Sequence, residues 1–179
     1  MNRIAFCFLF MLVGCATSRI QENPRKGLIE VLAELETGRK NERFIEEDTL
    51  ESDTKKYWRW PLRKIQITSP FGRRKGKTHD GVDLQAKVGT PVYAVKSGKV
   101  IYAGAKIRGY GRMVVIQHLN DFVSVYAHHQ RNLVRIGQKV KKGQLVALSG
   151  RSGRVSGPHL HFEIRKGSRP INPVLFLKP

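Results

Sequence analysis

The chain between residues 64 and 164 consists of short apolar or alternating runs separated by turn-forming residues, and this pattern restricts its fold more than any other feature. The runs cover residues 64–68, 91–94, 98–103, 113–118, 122–127, 145–149 and 159–164. Glycine, proline and the pair Asn120-Asp121 separate them, and no long helical period interrupts them. Many short strands with frequent turns predict an antiparallel all-β domain.

Charge is distributed unevenly along the 179 residues, which suffice for one domain with a core and short extensions. The net charge is +19 at pH 7. Residues 1–54 hold 7 basic and 10 acidic side chains, whereas residues 55–179 hold 26 basic and 4 acidic ones. A surface this positive attracts polyanions, such as nucleic acid, anionic lipid or an acidic wall polymer.

The N-terminal end has the features of an export signal. A positive start at Asn2-Arg3 precedes a ten-residue apolar run over residues 4–13, which is too short to span a bilayer. Leu12-Val13-Gly14-Cys15 resembles a bacterial lipobox, which implies a signal peptide over residues 1–14 and acyl chains on Cys15. An ordinary signal peptide or a buried apolar strand is the alternative. Ala16 resembles the pattern that sorts lipoproteins to the outer membrane, facing the periplasm, so nucleic acid is not an expected partner.

Cysteine usage limits the chemistry of any metal site. The chain has two cysteines, Cys7 in the predicted signal peptide and Cys15 at the predicted lipidation site. The folded part would therefore contain no thiol, no disulfide and no cysteine ligand. Histidine and carboxylate side chains would have to hold a metal ion.

Residues 15–54 predict a polar tether that contains one helix. Leu28, Val31, Leu32 and Leu35 follow helical spacing, with Pro24 before them and Gly38 after them. The expected role is a tether that packs loosely on the domain. Covering of a site or binding of a partner is the alternative.

Two histidines in the last predicted strand are the first candidates for chemistry. His159 and His161 lie two apart and should share one face, with Leu160 and Phe162 on the other. Far upstream, His79 and Asp83 flank Gly81, which predicts His79 in a loop, a tight bend at the glycine and Asp83 in a strand. His79, Asp83 and one histidine of the later pair suit a catalytic zinc ion with an open position. Two exposed histidines on a strand are the alternative.

Further histidines fall into separate classes. His128 closes a predicted strand and, with the spare histidine of the pair, could bind the attacking water or the oxyanion. Tyr126, two residues earlier, should face the same side or else pack in the core. His118 is expected to be structural, and His129 should point away from the site.

Several segments together resemble the lysostaphin-type (LytM-like) zinc metallopeptidases. Among them are Thr78-His79-Asp80-Gly81-Val82-Asp83-Leu84 and Ser156-Gly157-Pro158-His159-Leu160-His161-Phe162-Glu163. The remaining matches are residues 67–72, 89–94, 109–111, 123–128, 140–144 and 171–173, in the family's order. The resemblance covers nearly all of residues 61–179 and implies the family's antiparallel, barrel-like β-sandwich. It implies zinc ligands His79, Asp83 and His161, and catalytic residues His128 and His159.

The resemblance also implies a function. It predicts a domain over residues 55–179 that hydrolyses peptide cross-links of peptidoglycan, with D-alanine–diamino acid bonds as the expected target. Some relatives instead activate wall amidases without catalysis, so an amidase or a cell-division protein is a further candidate partner. Departures at Arg112, Asn120-Asp121, His129 and Val155 bear on substrate preference. A biotinyl carrier is disfavoured, because no lysine adjoins Met113, the only methionine of this region.

Overall fold

The computed structural model describes residues 27–38, 58–74 and 77–178. The predicted signal peptide and Cys15 therefore lie outside the described residues. The elements are α1 Leu28–Gly38, β1 Trp58–Arg59, β2 Ile67–Ser69, β3 Gly72–Arg74, β4 Lys77–His79, β5 Val82–Gln85, β6 Pro91–Tyr93, β7 Gly98–Gly104, β8 Met113–Gln117, β9 Phe122–Ala127, β10 His129–Asn132, β11 Lys139–Val140, β12 Leu145–Ser149, β13 His159–Lys166, β14 Arg169–Ile171 and β15 Leu177–Lys178. Among these elements, no helix is long and apolar enough to cross a membrane.

The strands form one large sheet, one small sheet and two ribbons. The large sheet has the order β11-β7-β8-β9-β13-β5-β2, with β14 also paired to β13, and the small sheet has the order β10-β12-β6. Every pairing in these two sheets is antiparallel, as is the β3–β4 ribbon, whereas β1 and β15 pair in parallel. The all-β prediction is confirmed.

The main core lies between the large and small sheets. Val92 of β6 and Val146 of β12 belong to the same buried cluster as Tyr126, Leu160 and Phe162 of the large sheet. All five side chains are inaccessible to solvent. Phe162 of β13 lies opposite Tyr126 of β9, so their rings meet on the core face of the sheet. Leu160 and Phe162 thus occupy the face that the alternating pattern predicted.

The opposite face of the large sheet is divided between an apolar part and a polar part. Its apolar part comes from β7, β8 and β9 and includes Val115 and Val125, on which Leu28 and Leu32 of α1 pack. Burial of each leucine contributes about 1.5–3 kcal/mol, which offsets the weak intrinsic stability of so short a helix. The polar part comes from β13 and β5, where the residues on this face carry imidazole and carboxylate groups instead.

The start of α1 combines a capping hydrogen bond with an apolar face that packs on the sheet. The Glu30 carboxylate accepts a hydrogen bond from the backbone N–H of Gly27 at 3.1 Å, which satisfies one of the amides exposed at a helix start. Helical spacing of Leu28 and Leu32 then places both side chains on the sheet. The predicted helix is confirmed, and it extends through Gly38.

Gly81 lies at the predicted bend, but the structure requires a glycine there for a different reason. Its φ is not among the positive values of the chain, so the bend does not require a glycine. A Cβ atom at Gly81 would instead lie 2.3 Å from the carbonyl oxygen of Phe162 and 3.0 Å from Cε1 of His161. The glycine is needed because the segment between β4 and β5 lies directly against the backbone of β13.

The strand assignments within residues 64–79 also differ from the prediction. His79 is the last residue of β4 rather than part of a loop, because residues 77–79 pair with residues 72–74. Strand β2 spans Ile67–Ser69 rather than residues 64–68, because only its later residues pair with β5. The β3–β4 ribbon is a local hairpin, whereas the start of β2 depends on long-range pairing with β5, which local sequence patterns do not contain.

Candidate metal centre

Three side chains converge at one edge of the polar part of the large sheet. His79 Nε2 lies 3.1 Å from Asp83 Oδ1, and the same nitrogen lies 3.1 Å from His161 Nδ1. Asp83 Oδ1 and His161 Nδ1 are 2.9 Å apart. Two ligands of a tetrahedral zinc ion lie about 3.3 Å from each other. Two imidazole nitrogens and one carboxylate oxygen at these separations could hold such an ion.

Strand register accounts for most of this convergence. His161 of β13 is directly opposite Asp83 of β5, so the two side chains project from the same face at adjacent positions. His79 approaches from the end of β4, and the close contact at Gly81 brings that end against β13. Residues that lie 82 positions apart in the chain thereby become neighbours.

The partners of the two histidines determine which ring nitrogen faces the site. His79 Nδ1 lies 2.8 Å from the carbonyl oxygen of Pro70, which can only accept a hydrogen bond. Nδ1 must therefore carry the proton, and Nε2 keeps its lone pair toward Asp83. His161 Nε2 lies 2.9 Å from Glu163 Oε1, which leaves the lone pair of Nδ1 toward the site when the ring is neutral. Both rings are oriented as metal-binding imidazoles usually are.

A buried network supports His161 from behind. Glu163 has no solvent exposure, and its Oε1 also accepts a hydrogen bond from the Tyr110 hydroxyl at 2.7 Å. Arg165, also buried, donates to Glu163 Oε2 and contacts Asp80 Oδ2 at 3.4 Å. The prediction did not assign a role to these residues. The signal was available for two of them, because Glu163 and Arg165 continue the alternation that places His159 and His161 on one face.

Charge within the site favours a cation. Burial acts to raise the pKa of Asp83, but the close contacts of its carboxylate with His161 and His79 outweigh burial and hold that pKa well below its usual range. Burial acts to lower the pKa of His161, but contacts with the Asp83 and Glu163 carboxylates raise it to about 9. An ionised carboxylate thus lies between two imidazoles, and a divalent ion there would replace the proton of His161.

The remaining two predicted site residues lie beside this trio. The rings of His128 and His159 are edge to face with centroids 4.8 Å apart. The centroid of the His128 ring lies 5.8 Å from that of His161. His159 Nε2 is 3.7 Å from Asp83 Oδ1. His128 Nδ1 lies 2.9 Å from the Ser152 carbonyl oxygen, and His159 Nδ1 lies 3.0 Å from that of Gly157. Each ring therefore presents Nε2 to a ligand.

His128 is held as a neutral imidazole. Burial disfavours a positive charge on the ring, and the neighbouring His161 and His159 disfavour it further, so the pKa of His128 falls to about 4. At neutral pH the ring can accept a proton rather than release one.

Backbone conformation at His128 explains why Tyr126 lies elsewhere. β9 ends at Ala127, and His128 has φ 66°, in the left-handed region, which breaks the alternation of the strand. The expectation that Tyr126 faces the site is wrong, and the core alternative applies. The Tyr126 hydroxyl accepts hydrogen bonds from the backbone N–H of Val95 and from the Ser124 hydroxyl, both at 3.0 Å.

The last two histidines lie outside the site. His118 contacts the Ser97 carbonyl oxygen at 2.9 Å and Ser124 Oγ at 2.7 Å, within the fold. His129 has no solvent exposure and donates from Nδ1 to Asn132 Oδ1 at 2.8 Å. None of these hydrogen bonds joins either ring to a member of the converging trio.

Similarity to known proteins agrees with this geometry. Residues 77–173 match the family described as Peptidase family M23. The chain is 42% identical over 122 residues to "Lipoprotein NlpD/LppB homolog" of Pseudomonas aeruginosa, covering 67% of this chain and 39% of that protein. It is 40% identical over 120 residues to "Murein hydrolase activator NlpD" of Escherichia coli, covering 67% of this chain and 31% of that protein. The chain thus spans less than half the length of these relatives.

A solved structure is also similar. The crystal structure of a zinc-containing peptidase from Vibrio cholerae superposes with a TM-score of 0.62 at 38% sequence identity. The match covers 66% of this chain and 39% of that chain.

Proposed function

Since the chain belongs to peptidase family M23, we propose that it is a zinc-dependent endopeptidase that hydrolyses the peptide cross-links of bacterial peptidoglycan. The observation that carries this proposal is the convergence of His79 Nε2, Asp83 Oδ1 and His161 Nδ1 within 3.1 Å of one another. Three protein ligands with an open fourth position are typical of catalytic rather than structural zinc sites.

His128 and His159 take the catalytic roles in this proposal, one toward the attacking water and the other toward the oxyanion. When bound, zinc would supply Lewis-acid polarisation of a peptide carbonyl and would activate a water molecule. The neutral His128 ring is placed to accept a proton from the attacking water through Nε2. His159 Nε2, 3.7 Å from Asp83 Oδ1, is placed to donate a hydrogen bond to the developing oxyanion when both nitrogens of the ring carry protons.

The substrate and location follow from the family and its relatives. We propose D-alanine–diamino acid cross-links as the target, and a lipid anchor at Cys15 that holds the chain at the outer membrane, facing the periplasm. The lipoprotein names of similar proteins support this envelope location. In this proposal residues 1–14 are the signal peptide, residues 15–54 the tether and residues 55–179 the peptidase domain.

A second function has one specific observation in its favour. The similar protein of Escherichia coli is named a murein hydrolase activator. A chain of this kind could bind the wall and activate a peptidoglycan amidase without cutting a bond itself. The presence of all five candidate histidine and aspartate side chains around one point favours the enzyme.

The test compares cleavage with activation directly. The full chain, purified in detergent and loaded with zinc, is incubated with peptidoglycan, and released muropeptides are identified by mass spectrometry. Parallel samples contain a chelator, the variant His161→Ala, or a wall amidase. If the chain is an endopeptidase, cross-linked dimers should be converted to monomers, and both the chelator and His161→Ala should abolish this conversion. Amidase stimulation with no cleavage by the chain alone would establish the activator instead.

Glu163→Gln is expected to weaken zinc binding by about 10–100-fold, the usual effect of removing a group that orients a metal-binding histidine. The carboxylate that holds His161 Nε2 would be replaced by a neutral amide, and the buried Arg165 would keep Asp80 but lose its closer ionic partner. Competition with a chromophoric chelator measures the affinity.

Tyr110→Phe is the matched control for that variant. It removes one hydrogen bond to the same oxygen but leaves the charges of Glu163 and Arg165 in place. Its zinc affinity should stay closer to that of the wild type. Equal affinities for wild type and Glu163→Gln, in a chain whose circular dichroism is unchanged, would show that Glu163 does not orient His161.

A further inference from the structure

Two loops form a continuous wall beside His128 and His159. One loop, residues 105–112, joins β7 to β8, and the other, residues 150–158, joins β12 to β13. The backbone N–H of Arg154 donates to the Gly109 carbonyl oxygen at 3.0 Å, and that of Arg112 donates to Ser152 Oγ at 2.8 Å. A Cβ atom at Gly153 would lie 2.5 Å from the backbone nitrogen of Gly111. The two loops are therefore in direct backbone contact.

The same loops hold the proposed catalytic histidines. The carbonyl oxygen of Ser152 contacts the His128 ring, and that of Gly157 contacts the His159 ring. The carbonyl oxygen of Tyr110 accepts a hydrogen bond from the backbone N–H of His128 at 3.0 Å. The Tyr110 ring also lies edge-on to His161 with centroids 5.8 Å apart. A ligand bound along this wall would extend to the reacting groups.

Four arginines project from the wall, and we call them the arginine rim: Arg108, Arg112, Arg151 and Arg154. All four are exposed, and neither loop contains an acidic residue. Residues 58–178 contain four acidic side chains in all. Asp83 and Glu163 bind the histidines of the site, and Asp80 contacts Arg165. Asp121 precedes β9, whose other end leads to His128, about 20 Å away along the strand.

We propose that the arginine rim binds carboxylate groups of the substrate, so that the site selects acidic peptides over neutral ones. This inference rests on the proposed function, and it specifies the chemistry of the peptide that reaches His128 and His159. Guanidinium groups bind carboxylates through paired, charge-assisted hydrogen bonds, which are stronger than neutral ones. A peptide with free carboxylates beside the bond to be cut would present them to the arginine rim.

The test uses two probes that differ only in charge. One is a cross-linked muropeptide dimer with free carboxylates, and the other is the same dimer after conversion of those carboxylates to carboxamides. Equilibrium binding is measured by calorimetry on the full chain in detergent after treatment with a chelator, so that no turnover occurs. KM and kcat for both probes are then measured on the zinc-loaded chain.

The variant that tests the rim is Arg108→Gln/Arg154→Gln. It removes two exposed charges while leaving Arg151, whose guanidinium donates to the Ser156 carbonyl oxygen within its own loop. Arg135→Gln/Arg169→Gln is the matched control. Both control residues are exposed, and Arg169 is opposite Lys166, about 20 Å along β13 from His159.

The wild type is expected to bind the carboxylate probe at least about tenfold more tightly than the carboxamide probe. The rim variant should lose this preference because its KM for the carboxylate probe rises, while its kcat stays nearly unchanged. The control variant should retain the preference. Equal binding of both probes by the wild type would overturn the inference. Loss of preference in the control variant would also overturn it, because general charge attraction would then suffice.

These outcomes separate the inference from the function on which it rests. Preferential binding of the carboxylate probe, without hydrolysis by the zinc-loaded chain, would contradict the endopeptidase and support the rim. Hydrolysis of both probes with the same KM would support the endopeptidase and contradict the rim.

Discussion

His161→Ala is expected to lower zinc affinity by more than about 100-fold, which exceeds the usual effect of losing a group that only orients a ligand. The variant removes Nδ1, one of the three converging atoms. Only Asp83 and His79 then remain as ligands, which is one fewer than a three-residue site requires. Bound zinc per chain after dialysis against a weak chelator measures the loss. Hydrolysis of peptidoglycan should disappear with the metal.

His159→Ala is the control for this variant because it lies on the same strand and the same face, two residues earlier. Its zinc content should remain close to that of the wild type. Near-UV circular dichroism establishes that both variants are folded. Full zinc content in His161→Ala would contradict the ligand assignment, as would equal losses in both variants.

His128→Ala and His159→Ala are each expected to reduce kcat by about 100- to 10,000-fold while zinc content stays near that of the wild type. The reason is that each ring is directed by a backbone carbonyl at Nδ1 and presents Nε2 beside the converging trio. Rates come from the release of monomeric muropeptides with time, measured at saturating substrate. A loss confined to KM would indicate that these rings bind substrate and do not transfer protons.

His118→Ala provides the comparison for these two variants. His118 is a buried histidine directly after β8 that hydrogen-bonds to Ser97 and Ser124, away from the trio. Its replacement should lower the temperature of unfolding without a specific loss of kcat in the folded fraction. A drop in kcat as large as that of His128→Ala would contradict the division between structural and catalytic histidines.

Alternation along a strand predicted the face of each residue in β13 correctly. His159 and His161 share one face while Leu160 and Phe162 enter the core, and the same rule extends to Glu163 and Arg165. The rule could not predict which histidine approaches His79 and Asp83. That depends on the register between β13 and β5, which is set by pairing between residues far apart in sequence.

The predictions that were wrong concern backbone geometry that no side-chain pattern encodes. Tyr126 was expected beside His128, but the left-handed conformation of His128 ends the alternation after Ala127. Gly81 lies at the predicted bend, but a glycine is required there by the close contact with β13 rather than by its backbone φ. The carbonyl groups of Pro70, Ser152 and Gly157 orient three of the histidines, and backbone carbonyls are present in every sequence.

The two faces of strand β13 link correct packing of the core to correct placement of the side chains of the site. One face of the strand carries two imidazoles, a carboxylate and a guanidinium, and the other carries Leu160, Phe162 and Ile164. A slip of one residue against β9 would exchange the two sets and bury the charged groups in the apolar core. Such a misregistered chain would be too unstable to persist. A folded chain with an intact hydrophobic core therefore also has the two imidazoles of β13 on the face that carries the site.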